Sequence, residues 1–234
     1  MTVPVWGPRH HRRKIVTPPA SVGGLFHFDG NLTNEISGSF ALTENGGSAS
    51  YGAGHFSSCI QWSTANCNLT SPIITGANVG NGVWFDGWVW YTSSGNDTWI
   101  FELISGGVRQ AGVGVRPSNS TGLLITSDTA GGTSATTGQP AKDAWGHIAF
   151  VLHSVGTSKF VNVAVNGVWK YSGNGAIYSL SSSAGDMSIR CASGGDVGLF
   201  RHKYDEFRIR LGKANFPFTV GTNFTPPTSP ALPW

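Results

Sequence analysis

The sequence predicts an all-β fold: an antiparallel two-sheet sandwich preceded by an extended N-terminal arm. Three observations predict it. Apolar runs are short, and clusters of Gly, Asn, Ser and Thr separate them. No window of about twelve residues or more carries a helical period. Charged residues make up only 12% of the 234, against 33 Gly, a balance that suits strands and turns better than helices. Nine Trp and thirteen Phe must also be buried somewhere, which argues against disorder, and a hydrophobic share of 39% suffices for a core.

The elements follow in order. Residues 1–21 form the arm, where Pro4, Pro8, Pro18 and Pro19 discourage regular structure. Residues 22–230 form the folded domain and 231–234 a short tail. Leu25 to Gly30 reads as a first strand ending in a turn, and His55 to Trp62 as another. Val83 to Tyr91 alternates Val83, Phe85, Val89 and Tyr91 against Trp84, Trp88 and Trp90. Both of its faces are apolar, so this strand is expected to be central and covered on both sides. Trp99 to Ile104, Gly122 to Thr126, Trp145 to Leu152 and Phe160 to Val165 read as strands. Asn166-Gly167 supplies a hairpin turn, and Val168 to Tyr171 returns from it. Met187 to Cys191, Gly198 to His202 and Tyr204 to Leu211 complete the set, and Asp128 to Gln139 reads as a long loop.

Four of these pieces together resemble LamG-like (concanavalin A-like) jelly rolls, in the variety found among tailed-phage structural proteins. They are the Leu25–Gly30 strand, Trp145-Gly146-His147-Ile148-Ala149-Phe150-Val151, the Val163 to Gly167 hairpin, and Asp205-Glu206-Phe207-Arg208-Ile209. The resemblance covers about residues 22–230. It implies a jelly-roll sandwich whose first and last strands lie side by side, and a binding or building module in place of an enzyme. It also implies a home on a virion surface, reached from the host cytoplasm. No apolar stretch follows the basic N-terminus to make a secretory signal, and none is long enough to span a membrane.

Catalytic patterns are missing from the sequence. A jelly-roll glycosidase needs two carboxylates facing one cleft, and no Glu-x-Asp-x-Glu pattern supplies them. No nucleophile elbow, phosphate loop or His-Glu-x-x-His occurs. Strand alternation places Asp205 in phase with Phe207, Ile209 and Leu211, hence in phase with the core. A buried carboxylate there needs backbone N–H donors or a cation, and the resemblance offers Ca²⁺ with Asp29 as a second ligand. The simpler reading is a carboxylate accepting backbone N–H groups, with no cofactor. Cys59 and Cys67 either pair across a hairpin or stay free thiols, the simpler case.

Two features point to partners. The first is aromatic: Trp62, Trp88, Trp90, Trp99 and Trp169 are candidate stacking platforms for a host-surface glycan. The second is the arm, with Trp6 as an apolar anchor and Arg9, Arg12, Arg13 and Lys14 as cations, a pattern suited to docking on another virion protein. These four account for the excess charge: of 15 basic residues eleven remain, against 12 acids, so the domain carries −1. A slightly acidic domain argues against nucleic acid as the partner. The expected function is a non-enzymatic virion component, first a head decoration protein, alternatively a glycan-binding module of a tail fibre or tail tip, and remotely a glycan hydrolase or lyase. Copies are expected to associate, a trimer being one arrangement.

Overall fold

A computed structural model describes residues 23–36, 41–46, 49–62, 68–71, 82–92, 98–105, 108–115, 122–126, 133–136, 138–155, 158–174, 187–194, 202–212 and 216–232. The arm residues Trp6, Arg9, Arg12, Arg13 and Lys14, and Cys67, lie outside them.

The described elements are all strands. In chain order they are β1 Gly23–Phe26, β2 Thr43–Asn45, β3 Ala49–Ala53, β4 Ser58–Trp62, β5 Asn68–Thr70, β6 Gly82–Tyr91, β7 Thr98–Ser105 and β8 Val108–Val115. Then come β9 Leu123–Thr126, β10 Thr133–Thr136, β11 Gly146–Val155, β12 Ser158–Val165, β13 Val168–Asn174, β14 Met187–Gly194 and β15 His202–Leu211. They form two antiparallel sheets. The first has the order β13-β12-β11-β6-β15-β4-β3, with β1 also on β15; the second has β10-β9-β8-β7-β14-β5-β2. Strand β15 pairs β6 along one edge, while its other edge takes β1 at Phe207–Arg210 and β4 at Lys203 and Tyr204. First and last strands therefore do lie side by side, with β1 ending at Phe26, short of the expected Gly30.

The core lies between the sheets. Phe85, Val89 and Tyr91 from β6 meet Phe101 and Leu103 from β7, with Phe150, Val163, Phe207 and Ile209 around them. Asn166 and Gly167 turn the β12–β13 hairpin, both with positive φ (49° and 77°), the geometry an Asn-Gly pair favours.

Several strand readings change, and β2, β3 and β5 lie in segments that the sequence pattern does not mark as strands. Segment 133–136, expected in a loop, pairs β9 as β10. Strand β4 begins at Ser58, because His55 to Ser57 form a bend above the sheet. Strand β8 carries four alternating apolar and small residues, Ala111 to Gly114, a pattern too weak in large side chains to read as a strand. Of the expected Gly198–His202 strand, only His202 is among the described residues, as the start of β15.

Segment 216–232 folds back over the outer face of the first sheet. Phe216, Phe218, Val220 and Phe224 pack there against Trp84, Ala149, Val151 and Ala164. This is the second cover that the two apolar faces of β6 required.

Candidate functional site

Residues that pair across strands share a face, so the register assigns every side chain of the outer surfaces. On the outer face of the first sheet, Trp84, Asp86, Trp88 and Trp90 of β6 stand in a line. Beside them on β15 stand Arg210, Arg208, Asp205 and Lys203.

The line divides into three zones. At the first, Trp84 is fully buried beneath the C-terminal segment, with Phe216, Phe218 and Phe224 at centroid distances of 5.7, 5.6 and 6.2 Å. Asp86, also fully buried, accepts from Trp84 Nε1 at 2.8 Å, from His147 Nε2 at 2.9 Å and from Arg208 through both of its oxygens. Burial alone would raise its pKa; the Arg208 charge and the His147 hydrogen bond outweigh burial and hold it well below the usual carboxylate range.

The middle zone runs Asp205–Trp88–His147 across three strands. Asp205 Oδ2 accepts the N–H groups of His55 and Phe56 at 2.8 and 3.1 Å, and the His55 ring stacks on Trp88 at 3.7 Å. Burial pushes the Asp205 carboxyl up to about 6, against the lowering effect of those two N–H groups. Asp29, on the exposed turn after β1, accepts the Ser57 hydroxyl and the Ser58 N–H. The two aspartates thus tie down one bend, 55–58, from two sides. No group of three or more His, Cys, Asp or Glu side chains suited to a metal occurs among the described residues.

Asp205 does not share the core face. The register slips by one residue between Asp205 and Arg208, and Glu206 takes positive φ (54°). This bulge puts Tyr204 in the core with Phe207 and turns Asp205 outward.

The third zone lies beyond the described contacts of the C-terminal segment. Ser50, Gln61, Lys203 and Trp90 pair in one row across β3, β4, β15 and β6. All four are half-buried, and the Lys203 ammonium stands 4.8 Å from the Trp90 ring centre.

The second sheet's outer face has its own aromatic. Trp99 is half-buried, and the Arg109 guanidinium lies 3.7 Å over its ring. Glu102, fully buried, accepts from Arg109 Nε and from Arg190 Nε and Nη2, the latter two at 2.7 and 3.0 Å. Gly112 pairs with Glu102 beneath this cluster; a Cβ there would come within 3.3 Å of the Trp99 ring.

The five candidate tryptophans therefore separate. Trp62 and Trp88 are buried, at 8% and 9% exposure, Trp62 against Tyr204 and Trp88 under His55. Trp169 is pinned by the C-terminal segment, its Nε1 donating to Thr222 O at 2.9 Å. Trp90 and Trp99 remain as half-exposed rings on outer faces. Sequence reading missed Asp86, Glu102, Arg109 and Arg190, whose only signal was a charge inside an apolar strand. Cys59 is a free buried thiol donating to Ala53 O.

The fold is similar to that of known structures. Domain 4 of the extracellular arabinanase AbnA from Geobacillus stearothermophilus, in complex with arabinotriose, superposes with a TM-score of 0.60 at 20% identity, covering 83% of this chain and 94% of that one. The chain folds as a concanavalin A-like sandwich. A botulinum neurotoxin type C structure, from a toxin dependent on two ganglioside molecules to enter cells, gives 0.58 at 9% identity over 82% of this chain. Trypanosoma rangeli sialidase, in a covalent intermediate, gives 0.60 at 12% identity over 82%. The chain spans 47% of the neurotoxin chain and 31% of the sialidase chain. No family model and no curated protein sequence matches it.

Proposed function

We propose that this chain is a non-enzymatic, lectin-like module that binds a glycan at the open end of the first sheet's outer face. Trp90 is the stacking surface, and Ser50, Gln61 and Lys203 are its polar partners. The observation that carries this reading is the row itself: a half-buried indole in line with a hydroxyl, an amide and an ammonium, beyond the described contacts of the C-terminal segment. A flat apolar ring meets the C–H face of a sugar, while the polar groups of the row offer donors and acceptors to its hydroxyls. The arabinanase domain with its arabinotriose and the neurotoxin with its gangliosides support a saccharide as the ligand class.

The absence of catalysis in this reading rests on the carboxylates. Asp86 and Glu102 are locked by guanidiniums, Asp205 holds the 55–58 bend, and Glu206 bonds His27 and the Ala231 N–H. Each already has structural partners. The finer setting is a phage particle, supported by the resemblance of the four strand pieces and by the basic arm. There the Trp90 row supports a tail-fibre or tail-tip receptor-binding module ahead of head decoration. Residues 1–20 are the docking arm in this setting, and the module works as a homo-oligomer.

The test is calorimetric titration of the full chain with a panel of neutral oligosaccharides, beside Trp90→Ala. Binding by the wild type and at least a roughly tenfold loss in the variant is expected, since one central aromatic anchor is worth about 2 kcal/mol or more. Undiminished binding by the variant, or none by the wild type across the panel, overturns the reading. Antibody labelling of virions tests the setting: label at the tail supports receptor binding, and label over the head restores decoration.

A further inference from the structure

We infer that the outer face of the second sheet holds a separate binding surface for a carboxylate-bearing saccharide, built from Arg109, Arg190 and Trp99. It lies on the opposite sheet from the Trp90 row and extends the glycan reading to a second site and a ligand class.

The charge pattern comes first. One carboxylate is satisfied by one bidentate guanidinium. Glu102 has two guanidiniums on it, and no second carboxylate pairs with either arginine among the described residues. The cluster therefore carries one net positive charge. Its charges also differ in access: the Glu102 side chain is 0% exposed, those of Arg109 and Arg190 25% and 34%. The anion is internal and the cations face outward.

Geometry makes this a built surface. Arg109 spends its Nε on Glu102 and Arg190 its Nε and one Nη, so each planar fork keeps further N–H donors. Glu102 fixes both forks, and Trp99 fixes Arg109 by stacking, so little side-chain freedom is left to lose on binding. Two register slips produce the arrangement. Between Trp99 and Phe101, and between Leu103 and Ile104, an extra residue turns Trp99 and Arg109 away from the core face. Bulges of this kind re-aim side chains next to functional sites.

The ligand follows from the pairing. A fixed guanidinium fork takes a carboxylate in two parallel hydrogen bonds. The half-exposed indole, one face covered by Arg109 at 3.7 Å, adds an apolar edge that a simple anion leaves unused. A sugar ring bearing its own carboxylate meets both.

The test titrates the full chain with trigalacturonate and with its methyl ester, which keeps the rings and removes the charge. The acid is expected to bind about tenfold tighter or more, and to weaken as salt rises from low to physiological ionic strength. Arg109→Gln leaves Glu102 its bidentate Arg190, so its melting temperature stays near wild type while acid affinity falls about fivefold or more; Arg190→Gln leaves a single Arg109 Nε bond and lowers the melting temperature as well as the acid affinity. Trp90→Ala leaves acid binding unchanged, which separates this surface from the row on the other sheet. Equal affinity for acid and ester, no binding of the acid, or wild-type acid affinity in both arginine variants overturns the inference. A glutamate-rich peptide binding as tightly as trigalacturonate overturns the saccharide assignment. If neutral oligosaccharides still bind through Trp90 in any of these cases, the proposed function stands without this second surface.

Discussion

The two outer faces of the sandwich start from the same local chemistry and end differently. On the first sheet, Trp84 stands beside Asp86, a buried carboxylate held by Arg208. On the second, Trp99 stands near Glu102, a buried carboxylate held by Arg109 and Arg190. Trp84 is fully buried because residues 216–224 lie over it; Trp99 is half-buried, with the Arg109 guanidinium above its ring among the described residues. Neither the indole nor the ion pair decides which face is structural and which can meet a ligand. The cover decides it. Once covered, an ion pair has exchanged water for protein on every side, and its loss leaves uncompensated buried groups.

The largest effect that tests this contrast comes from Asp86→Ala. It strands Arg208 and His147 on a covered face, and should cost about 3–5 kcal/mol in urea unfolding. A loss below about 1 kcal/mol would mean that water reaches this zone and that the cover is not tight. The paired tryptophan substitutions come next. Trp84→Ala should cost about 3–5 kcal/mol and Trp99→Ala about 1 kcal/mol, because only the first opens a cavity under a second layer. Equal costs would erase the distinction between the faces. Trp90→Ala sharpens it from the other side, with glycan affinity falling while the melting temperature moves little.

The smallest effect is a pH dependence in the zone between cover and open row. The Asp205 carboxyl is pushed up to about 6 by burial, above the ordinary value of about 3.9. A raised pKa means the folded state favours the protonated form. That contribution is fully present below about pH 4 and is lost as pH rises through about 6. Asp205→Asn keeps an oxygen for the His55 and Phe56 N–H groups and cannot ionise. Its melting temperature should match wild type near pH 4 and exceed it by a few degrees at pH 7.5. A lower melting temperature for the variant at pH 7.5 would show that the two N–H bonds outweigh burial.

Where a strand keeps strict alternation, its faces were legible in the sequence. Val83 to Tyr91 sorts into core and outer residues as its pattern predicts, and Asn166-Gly167 turns the hairpin. Strict alternation assigns four positions of interest to the wrong face, Asp205 among them, for one shared reason. Trp99, Arg109, Trp169 and Asp205 each lie next to a one-residue register slip. Counted by twos, each falls on the face of a core neighbour: Phe101, Ala111, Tyr171 and Phe207. The extra residue inverts the count, because side chains alternate with a period of two and a bulge adds one. A bulge at Ile100, Gln110 or Lys170 has no marker such as glycine, so nothing in the local sequence announces it.

The neighbourhood of first and last strands came from the family resemblance; by itself, the sequence determined the class of fold, the central strand and the β12–β13 hairpin. These follow from periodicity and turn chemistry, which act over a few residues. Only the tertiary structure decided which tryptophans face outward, which charges meet, and which face is covered. Those outcomes depend on bulges and on the docking of residues 216–232 against strands more than forty positions away, as between Phe224 and Gly167. Contacts at such separations are set by the packing of whole sheets, so no local pattern carries them.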